Sequence, residues 1–186
     1  MKNIVVVDLE IQDPILKQED WDATEKIRMS CCCLYSYLEN RYHVFGLKDI
    51  DKLRSIIISA DLVVSFNGNK FDLPVIFNMP NRKAPYDIKQ FDILYKIWEA
   101  LRLDPLQFSD LHKGYGLNAC CQASLNKRKT GNGAGAPLLW QNGEYCKVID
   151  YCLNDVALTK ELFDFIQMYG YVNVIRYGRR EKIVMV

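Results

Sequence analysis

The order of hydrophobic and polar residues predicts short buried strands in the first part of the chain. The segment NIVVVDLE is a nearly continuous apolar run, which is typical of a central strand buried on both faces. The segment KIRMSCCCLYSYLENRYHVFG predicts two further strands around a turn at Glu39 and Asn40. DLVVSFNG predicts another buried strand, which stops at the Asn-Gly pair.

Apolar residues at helical spacing predict the other elements. They recur in LKDIDKLRSIIISA, in QFDILYKIWEALRL and, over the longest stretch, in EYCKVIDYCLNDVALTKELFDFIQMYG. KFDLPVIFNM is interpreted as the start of a helix, and the glycine-rich segment LNKRKTGNGAGAP is expected to be a flexible loop. Strands that come first, with a helix crossing between later strands, favour an α/β fold with a mixed central sheet flanked by helices.

The composition is typical of a globular protein and does not identify a substrate. The chain has 186 residues, 49% hydrophobic and 25% charged, and is expected to form a single domain over 1–186 with a substantial core. The formal net charge of +1 lacks the basic excess of many nucleic-acid-binding proteins but leaves room for a local basic patch. No apolar run approaches the roughly 20 residues of a membrane span, so no membrane partner is expected.

The seven cysteines favour a reducing compartment. Cys31, Cys32 and Cys33 are consecutive and Cys120 adjoins Cys121, which is poor geometry for disulfides. The chain has no CxxC pair, and Met1 leads almost directly into a strand-like stretch without a signal peptide. We therefore expect a cytoplasmic protein in which the cysteine run packs within a strand.

Carboxylates stand beside two of the predicted strands and beside the longest helix. Asp8 and Glu10 are two positions apart on the first strand, so they point to the same face. Asp72 follows the strand DLVVSFNG, and Asp155 borders the apolar stripe of the last helix, with Tyr151 one turn before it. Singly, each acid has an ordinary explanation: the solvated end of a strand, a helix N-cap or a solvated helix position.

Together these four carboxylates favour a metal site. Acids gathered at the edge of a sheet repel one another unless a cation neutralises them. Oxygen ligands without a His or Cys cluster suit Mg²⁺ or Mn²⁺ rather than zinc. Two such ions about 3.5–4 Å apart are a standard device for phosphodiester cleavage, so two Mg²⁺ (or Mn²⁺) are the expected cofactors. Asp92, in QFDILYKI, is expected to serve a helix N-terminus or the structure rather than this site.

Three motifs, VVVDLE, FNGNKFD and YCLND, resemble the exonuclease motifs of the DEDD superfamily of 3′–5′ exonucleases, which have a ribonuclease H-like fold. The resemblance is to the tyrosine (DEDDy) branch, because the sister branch has histidine where this chain has Asp150. Longer phrases, among them ADLVVSFNGNKFDLPVI and YCLNDVALTKELFDF, are similar to ribonuclease H-like exonucleases associated with DEAD/DEAH-box helicases. That group is related to the proofreading domain of family B polymerases.

The resemblance implies a catalytic role for each acid and for the tyrosine. Asp8 would bridge both ions, and Glu10 and Asp155 would hold the ion that activates water. Asp72 would support the second ion. Tyr151 would orient the attacking water through its hydroxyl group.

Residues of the middle motif and of the glycine-rich loop are the candidates for substrate binding. The resemblance implies that Asn67 meets the terminal nucleotide, with Asn69 as the alternative. Phe71 would contact a base unless it packs in the core. The basic run of the loop either contacts the phosphates of the substrate strand or forms a solvated turn: Lys127, Arg128 and Lys129.

The implied activity is that of a metal-dependent 3′–5′ exonuclease that releases nucleoside monophosphates from single-stranded nucleic acid. DNA is favoured over RNA, although no motif specifies contacts to the 2′-hydroxyl group. The implied partners are the 3′ end of single-stranded DNA or RNA and a helicase or polymerase acting in trans. Two other functions remain open: a structure-specific ribonuclease H-like endonuclease and a catalytically inactive nucleic-acid-binding module.

Overall fold

A mixed sheet lies at the centre of the protein. The structure is a computed structural model that describes residues 2–185 apart from 86, 106 and 132. In that part of the chain the strands are β1 (Ile4–Ile11), β2 (Met29–Ser36), β3 (Arg41–Phe45), β4 (Leu62–Ser65), β5 (Gln90–Asp92), β6 (Tyr171–Arg176) and β7 (Arg179–Val184). The α-helices are α1 (Ile50–Ser59), α2 (Asp72–Ile76), α3 (Ile93–Ala100), α4 (Leu117–Leu125), α5 (Ala136–Gln141) and α6 (Tyr145–Tyr169).

The central sheet has the strand order β3-β2-β1-β4-β5. β1 pairs antiparallel with β2 and parallel with β4, and β4 pairs parallel with β5. Because the parallel strands share one direction, the turn after β4 lies at the same edge of the sheet as the C-terminal half of β1. The predicted mixed sheet flanked by helices is confirmed.

The strand β1 packs into a different core on each of its two faces. Val5 and Val7 belong to the cluster that contains residues of α1 and α2, whereas Val6 belongs to the cluster that contains the buried residues of α6. Burial on both faces explains why the strand is apolar at consecutive positions. On the face of Val6, however, the next residues are Asp8 and Glu10. On this face of β1, the first half of the strand therefore packs against α6 through apolar side chains, and the second half carries carboxylates.

The helix α6 packs across the sheet and ends at a glycine. Its predicted apolar stripe is buried, since Cys152, Val156 and Leu162 are fully inaccessible. Gly170 adopts a φ of +71°, in the left-handed region that favours glycine, and its N–H donates to the carbonyl of Ile166 at 2.8 Å. Although α6 has 25 residues, no helix in the described part of the chain is both long and apolar enough to cross a membrane.

Several elements differ from the sequence pattern or are absent from it. QFDILYKIWEALRL is not helical throughout, because Gln90–Asp92 pair with β4 as a strand and the helix begins at Ile93. A strand of three residues is too short to show an alternation of apolar and polar positions. The pattern does not predict the helix α4 either, since its sequence LNACCQASL has small residues in place of a wide apolar stripe. The β6–β7 hairpin packs beside α4.

Asp92 joins the end of β5 to two neighbouring elements. Its carboxylate accepts hydrogen bonds from the backbone N–H groups of Asn67 and Asn69, both at 2.9 Å, in the turn after β4. It also accepts from Leu94 at 3.0 Å and Tyr95 at 3.3 Å, and so caps α3. Burial raises the pKa of Asp92 to about 6, and the four N–H donors oppose that rise. The structural role expected for Asp92 is confirmed.

We expect the substitution Asp92→Asn to lower the free energy of unfolding by about 2 kcal/mol, because an amide NH₂ group would face backbone donors that now have an acceptor. Urea denaturation followed by circular dichroism measures the change. The matched control is Asp87→Asn at an exposed position just before β5, which should stay within about 0.5 kcal/mol of the wild type. Equal stability of the two variants would mean that the hydrogen bonds of Asp92 stabilise neither the turn after β4 nor the start of α3.

Candidate active site

Three carboxylates from β1 and α6 meet in one place. Asp8, Glu10 and Asp155 each contribute an oxygen atom, and these oxygens all lie within 4.8 Å of one another. Glu10 is 7% exposed and Asp155 is 3% exposed. The alternation of β1 directs the first two acids towards α6, and the buried stripe of α6 directs the third towards β1. The interpretation of Asp155 as a solvated helix position is therefore wrong.

The fourth acid, Asp72, is the first residue of α2 and is tied to β1. Its Oδ1 accepts a hydrogen bond from the backbone N–H of Leu9 at 2.9 Å, between the two acids of β1. Asp72 is 4% exposed, and its charge contributes to the raised pKa of Asp8. The turn before α2 is tight, because a Cβ atom on Gly68 would lie 2.6 Å from the Cβ of Ser65. Glycine is required at that position.

Burial raises the pKa values of all four acids, and neighbouring carboxylates raise those of Asp8, Glu10 and Asp72 further. Burial is the largest cause at each of them, and it raises the pKa of Glu10 to about 9 and that of Asp72 to about 7. Burial also raises the pKa of Asp8 well above its usual range, and the charges of Asp72, Glu10 and Asp155 raise it further. Charged carboxylates in this site therefore require a compensating cation.

Lys129 supplies one positive charge at the site. Its Nζ lies 2.5 Å from Oδ2 of Asp155 and 5.1 Å from the ring centroid of Tyr151. Burial opposes the charged form of Lys129, but the carboxylate of Asp155 and the nearby Tyr151 outweigh burial and raise its pKa. Lys129 also lowers the pKa of Asp155, against the larger effect of burial. Sequence reasoning placed Lys129 in a basic loop and missed its position among the acids.

The other two residues of the basic run lie in different surroundings. Lys127 forms an exposed ion pair with Glu161 on α6, with Nζ and Oε2 2.6 Å apart. Arg128 is exposed. The structure therefore does not bring Lys127, Arg128 and Lys129 together as one basic patch, and their contacts with phosphates stay a prediction.

Oxygen atoms at the centre of the site lack hydrogen-bond partners. Within the described part of the chain, Oδ2 of Asp8, Oδ1 of Asp155 and the hydroxyl group of Tyr151 are buried without one. Burial is the largest cause of the raised pKa of Tyr151, so its hydroxyl group stays protonated at neutral pH. Buried oxygens without partners, beside carboxylates that need a cation, fit hard ions such as Mg²⁺ or Mn²⁺.

A cleft of about 580 Å³ opens beside the acids. Asn67 and Phe71 both line this cleft, whereas the described contact of Asn69 is its backbone hydrogen bond to Asp92. Phe71 packs against Trp21, with ring centroids 5.5 Å apart. The apolar wall of the cleft also includes Ile11, Pro14, Ile15, Leu16 and Pro137. Trp21 was missed in the sequence because it ends a 3₁₀ helix of four residues, which is too short to show periodicity.

Buried cysteines form the layer beneath the acids. Cys33 and Cys31 of β2 pair with Asp8 and Glu10 of β1, and the thiols of Cys31, Cys33 and Cys152 lie within 4.8 Å of one another. Cys152 also donates a hydrogen bond from Sγ to the backbone carbonyl of Asp8 at 3.3 Å. All three thiols are at most 2% exposed, so the expectation that the cysteine run packs within a strand is confirmed.

In the absence of a divalent cation, we expect the free energy of unfolding to fall as the pH rises from about 5 to about 9. Glu10 and Asp72, with pKa values of about 9 and about 7, hold protons in the folded chain that an unfolded carboxylate releases near pH 4. The folded state thus binds more protons than the unfolded state over this range, and stability falls with pH. Urea denaturation in EDTA measures the trend. A stability that rises over the same range contradicts it.

Comparisons with known proteins agree with this architecture. Among curated proteins, the chain is 31% identical to DNA polymerase 1 of Aeropyrum pernix over 138 residues, which cover 66% of this chain and 14% of the polymerase. Among solved structures, the family B DNA polymerase from the hyperthermophilic archaeon Pyrobaculum calidifontis superposes with a TM-score of 0.60 and 15% identity. That superposition covers 90% of this chain and 25% of the polymerase, and at this identity it shows the fold alone.

A family match covers most of the chain. Residues 36–167 match the sequence model of the RNase H superfamily. The matched range contains the turn after β4 and most of α6, and therefore includes Asp72, Tyr151 and Asp155. Because the match covers more than half of the sequence and the central sheet has the corresponding fold, the chain belongs to the RNase H superfamily.

Proposed function

We propose that this protein is a metal-dependent 3′–5′ exonuclease of the tyrosine branch of the DEDD superfamily, with residues 1–186 as one ribonuclease H-like domain. The observation that carries the proposal is the convergence of Asp8, Glu10 and Asp155 beside Asp72 and the hydroxyl group of Tyr151. Membership of the RNase H superfamily supports a nuclease. The partial likeness to DNA polymerases supports a nucleic-acid substrate and the resemblance to proofreading domains.

The proposed ligands are the four carboxylates. Asp8, Glu10 and Asp155 would hold one Mg²⁺ or Mn²⁺, and Asp8 with Asp72 would hold a second. When bound, two such ions acidify an attacking water and neutralise the charge that develops on the leaving oxygen. The hydrogen bond from Leu9 to Oδ1 of Asp72 fixes the carboxylate beside β1 and leaves it lone pairs for this role.

Tyr151 and Lys129 are proposed to position the reacting groups. Tyr151 lies one helical turn before Asp155, and its protonated hydroxyl group interacts with Lys129 and Asp155 without a well-formed hydrogen bond to either, so it can orient a water beside that acid. Its raised pKa makes it a hydrogen-bonding group rather than a base at neutral pH. Lys129 is near enough to the acids to contact the scissile phosphate. Lys127 and Arg128 remain candidates for contacts with phosphates further along the strand.

The proposed substrate is the 3′ end of single-stranded nucleic acid, with DNA favoured over RNA. The apolar wall of the cleft next to the acids suits an unpaired base, because stacking and apolar contacts accept any base. Asn67 lines the cleft and would meet the terminal nucleotide, and Phe71 with Trp21 would contact its base. A helicase or polymerase acting in trans would supply such ends.

Labelled oligonucleotides test metal dependence and polarity together. We expect Mg²⁺ and Mn²⁺ to support stepwise shortening from the 3′ end, and Ca²⁺ to permit binding with little turnover because its coordination shell is larger and looser. A bulky group at the 3′ end should protect the strand, and the same group at the 5′ end should not. Internal products would indicate the endonuclease, binding without cleavage would indicate the inactive module, and degradation from the 5′ end would contradict the proposal.

The substitution Asp155→Asn should reduce kcat by about a thousandfold or more, since it removes a charged ligand from the site. Its stability should stay within about 1 kcal/mol of the wild type, because lower repulsion among the acids offsets the lost pair with Lys129. Single-turnover kinetics and urea denaturation measure both effects. Asp150→Asn, at an exposed position on the same helix, is the matched control and should retain activity. A folded Asp155→Asn variant with full activity would exclude Asp155 from the site.

The conservative variant Tyr151→Phe separates orientation of water from ligand binding. It keeps the ring and removes only the hydroxyl group, so we expect a loss of about ten- to a hundredfold, clearly smaller than that of Asp155→Asn. Single-turnover kinetics of the two variants side by side measure the difference. Activity equal to that of the wild type would mean that Tyr151 only packs.

A further inference from the structure

A second pocket adjoins the catalytic cleft. It has a volume of about 440 Å³ and shares Trp21 and Asn67 with the cleft, so the two cavities are neighbours across these side chains. Two basic residues, Lys70 and Arg82, line it together with three further aromatic rings: Trp98, Phe108 and Tyr115. We call it the basic-aromatic pocket. The sequence motifs did not indicate it, because its residues come from separate loops and from α3.

The two basic residues are in contact, and the charge of Arg82 affects Lys70. The pKa of Lys70 is lowered first by burial and then by the charge of Arg82, although Asp104 and Asp22 oppose the shift. Nε of Arg82 donates to the backbone carbonyl of Lys70 at 3.1 Å, and the guanidinium carbon lies 5.9 Å from the ring centroid of Trp21. Two cations held side by side at the wall of a pocket favour an anion there.

An exposed aromatic ring stands in the same pocket. Phe108 is 63% exposed and rests on the rings of His112 and Trp98, at centroid distances of 5.3 and 6.4 Å. An exposed ring next to paired cations is the combination with which proteins bind single-stranded nucleic acid without reading its sequence: the base stacks and the phosphate is neutralised.

The position of the scissile phosphate determines which nucleotide of the strand can reach the basic-aromatic pocket. The terminal nucleotide is joined to the strand through a single phosphate, and that scissile phosphate must lie at the acids. Any phosphate that meets Lys70 and Arg82 therefore belongs to a nucleotide further towards the 5′ end. The basic run of the glycine-rich loop does not contribute to the described lining of this pocket.

We propose that the basic-aromatic pocket binds the nucleotide on the 5′ side of the scissile phosphate. The next phosphate lies at Lys70 and Arg82, the base stacks on Phe108, and the strand crosses from the cleft past Trp21 and Asn67. This inference rests on the proposed function and specifies how that function selects single strands longer than two nucleotides.

A comparison of two substrates tests the pocket. A dinucleoside monophosphate has only the scissile phosphate, whereas a single strand of about ten nucleotides also has the phosphate that the pocket would bind. For the double variant Lys70→Gln with Arg82→Gln, we expect the KM of the longer strand to rise about tenfold, with kcat unchanged. The KM of the dinucleoside monophosphate should change less than about twofold. Glutamine keeps a donor for the carbonyl of Pro105, which Lys70 contacts.

Binding measurements test the same pocket without cleavage. For the double variant, fluorescence anisotropy of a labelled decamer in EDTA should show a flatter dependence of log affinity on log salt than for the wild type. The slope should fall by about 0.7 for each phosphate that the variant no longer neutralises. Phe108→Ala should weaken binding of the decamer roughly tenfold whatever its base sequence. Lys52→Gln, at an exposed position on α1, is the matched control and should leave both substrates unaffected. Lys70→Arg keeps the charge and should preserve decamer binding.

The outcomes separate this inference from the proposed function. Equal losses on the two substrates, or no loss on either, would overturn the pocket as a nucleotide site. Wild-type protein that cleaves neither substrate would overturn the proposed exonuclease, and the salt dependence in EDTA would still decide whether the pocket binds the strand. If the glutamine variants melt well below the wild type, Lys70→Arg and Phe108→Ala decide the question: loss of decamer affinity in the first, or full affinity in the second, counts against the pocket.

Discussion

The structure depends on the free energy that is required to hold four carboxylates together where Glu10, Asp72 and Asp155 are buried and Asp8 is partly buried. Hydrogen bonds to the backbone and the charge of Lys129 oppose the repulsion among these acids, and without further positive charge the acids take up protons. The charged form of these carboxylates is therefore stable only when positive charge lies beside them.

The acids are held by two elements, β1 and α6, whose facing side chains are apolar in one part and acidic in another. β1 and α6 pack through apolar side chains over part of their contact and through acids over the rest. The apolar part fixes the distance between strand and helix, because close-packed cores tolerate little displacement. The same distance separates the acids of β1 from Asp155 on α6. The spacing of the carboxylates therefore follows from the packing of residues such as Val6 and Val156.

Sequence reasoning succeeded where a local period determines the direction of a side chain. The pairing of Asp8 with Glu10 on one face follows from the alternation of a strand, and the placement of Asp155 beside a buried stripe follows from helical spacing. Sequence reasoning failed where a side chain reaches the site from a connecting segment that packs against residues distant in the sequence. Lys129 reaches the site from a loop and Trp21 from a single turn of 3₁₀ helix, and neither is long enough for a local period to indicate the direction of the side chain.

The hydrogen bond from the backbone N–H of Leu9 fixes the carboxylate of Asp72 relative to β1. Asp72 is attached to the backbone of β1, and the turn that leads to it is attached to Asp92. Arg82, in the connection between α2 and β5, contacts other parts of the site: it donates a hydrogen bond to the carbonyl of Lys70 and lies over the ring of Trp21. A change at Arg82 would therefore alter the wall that the cleft and the basic-aromatic pocket share, while the carboxylates keep the spacing that is set from β1 and β5.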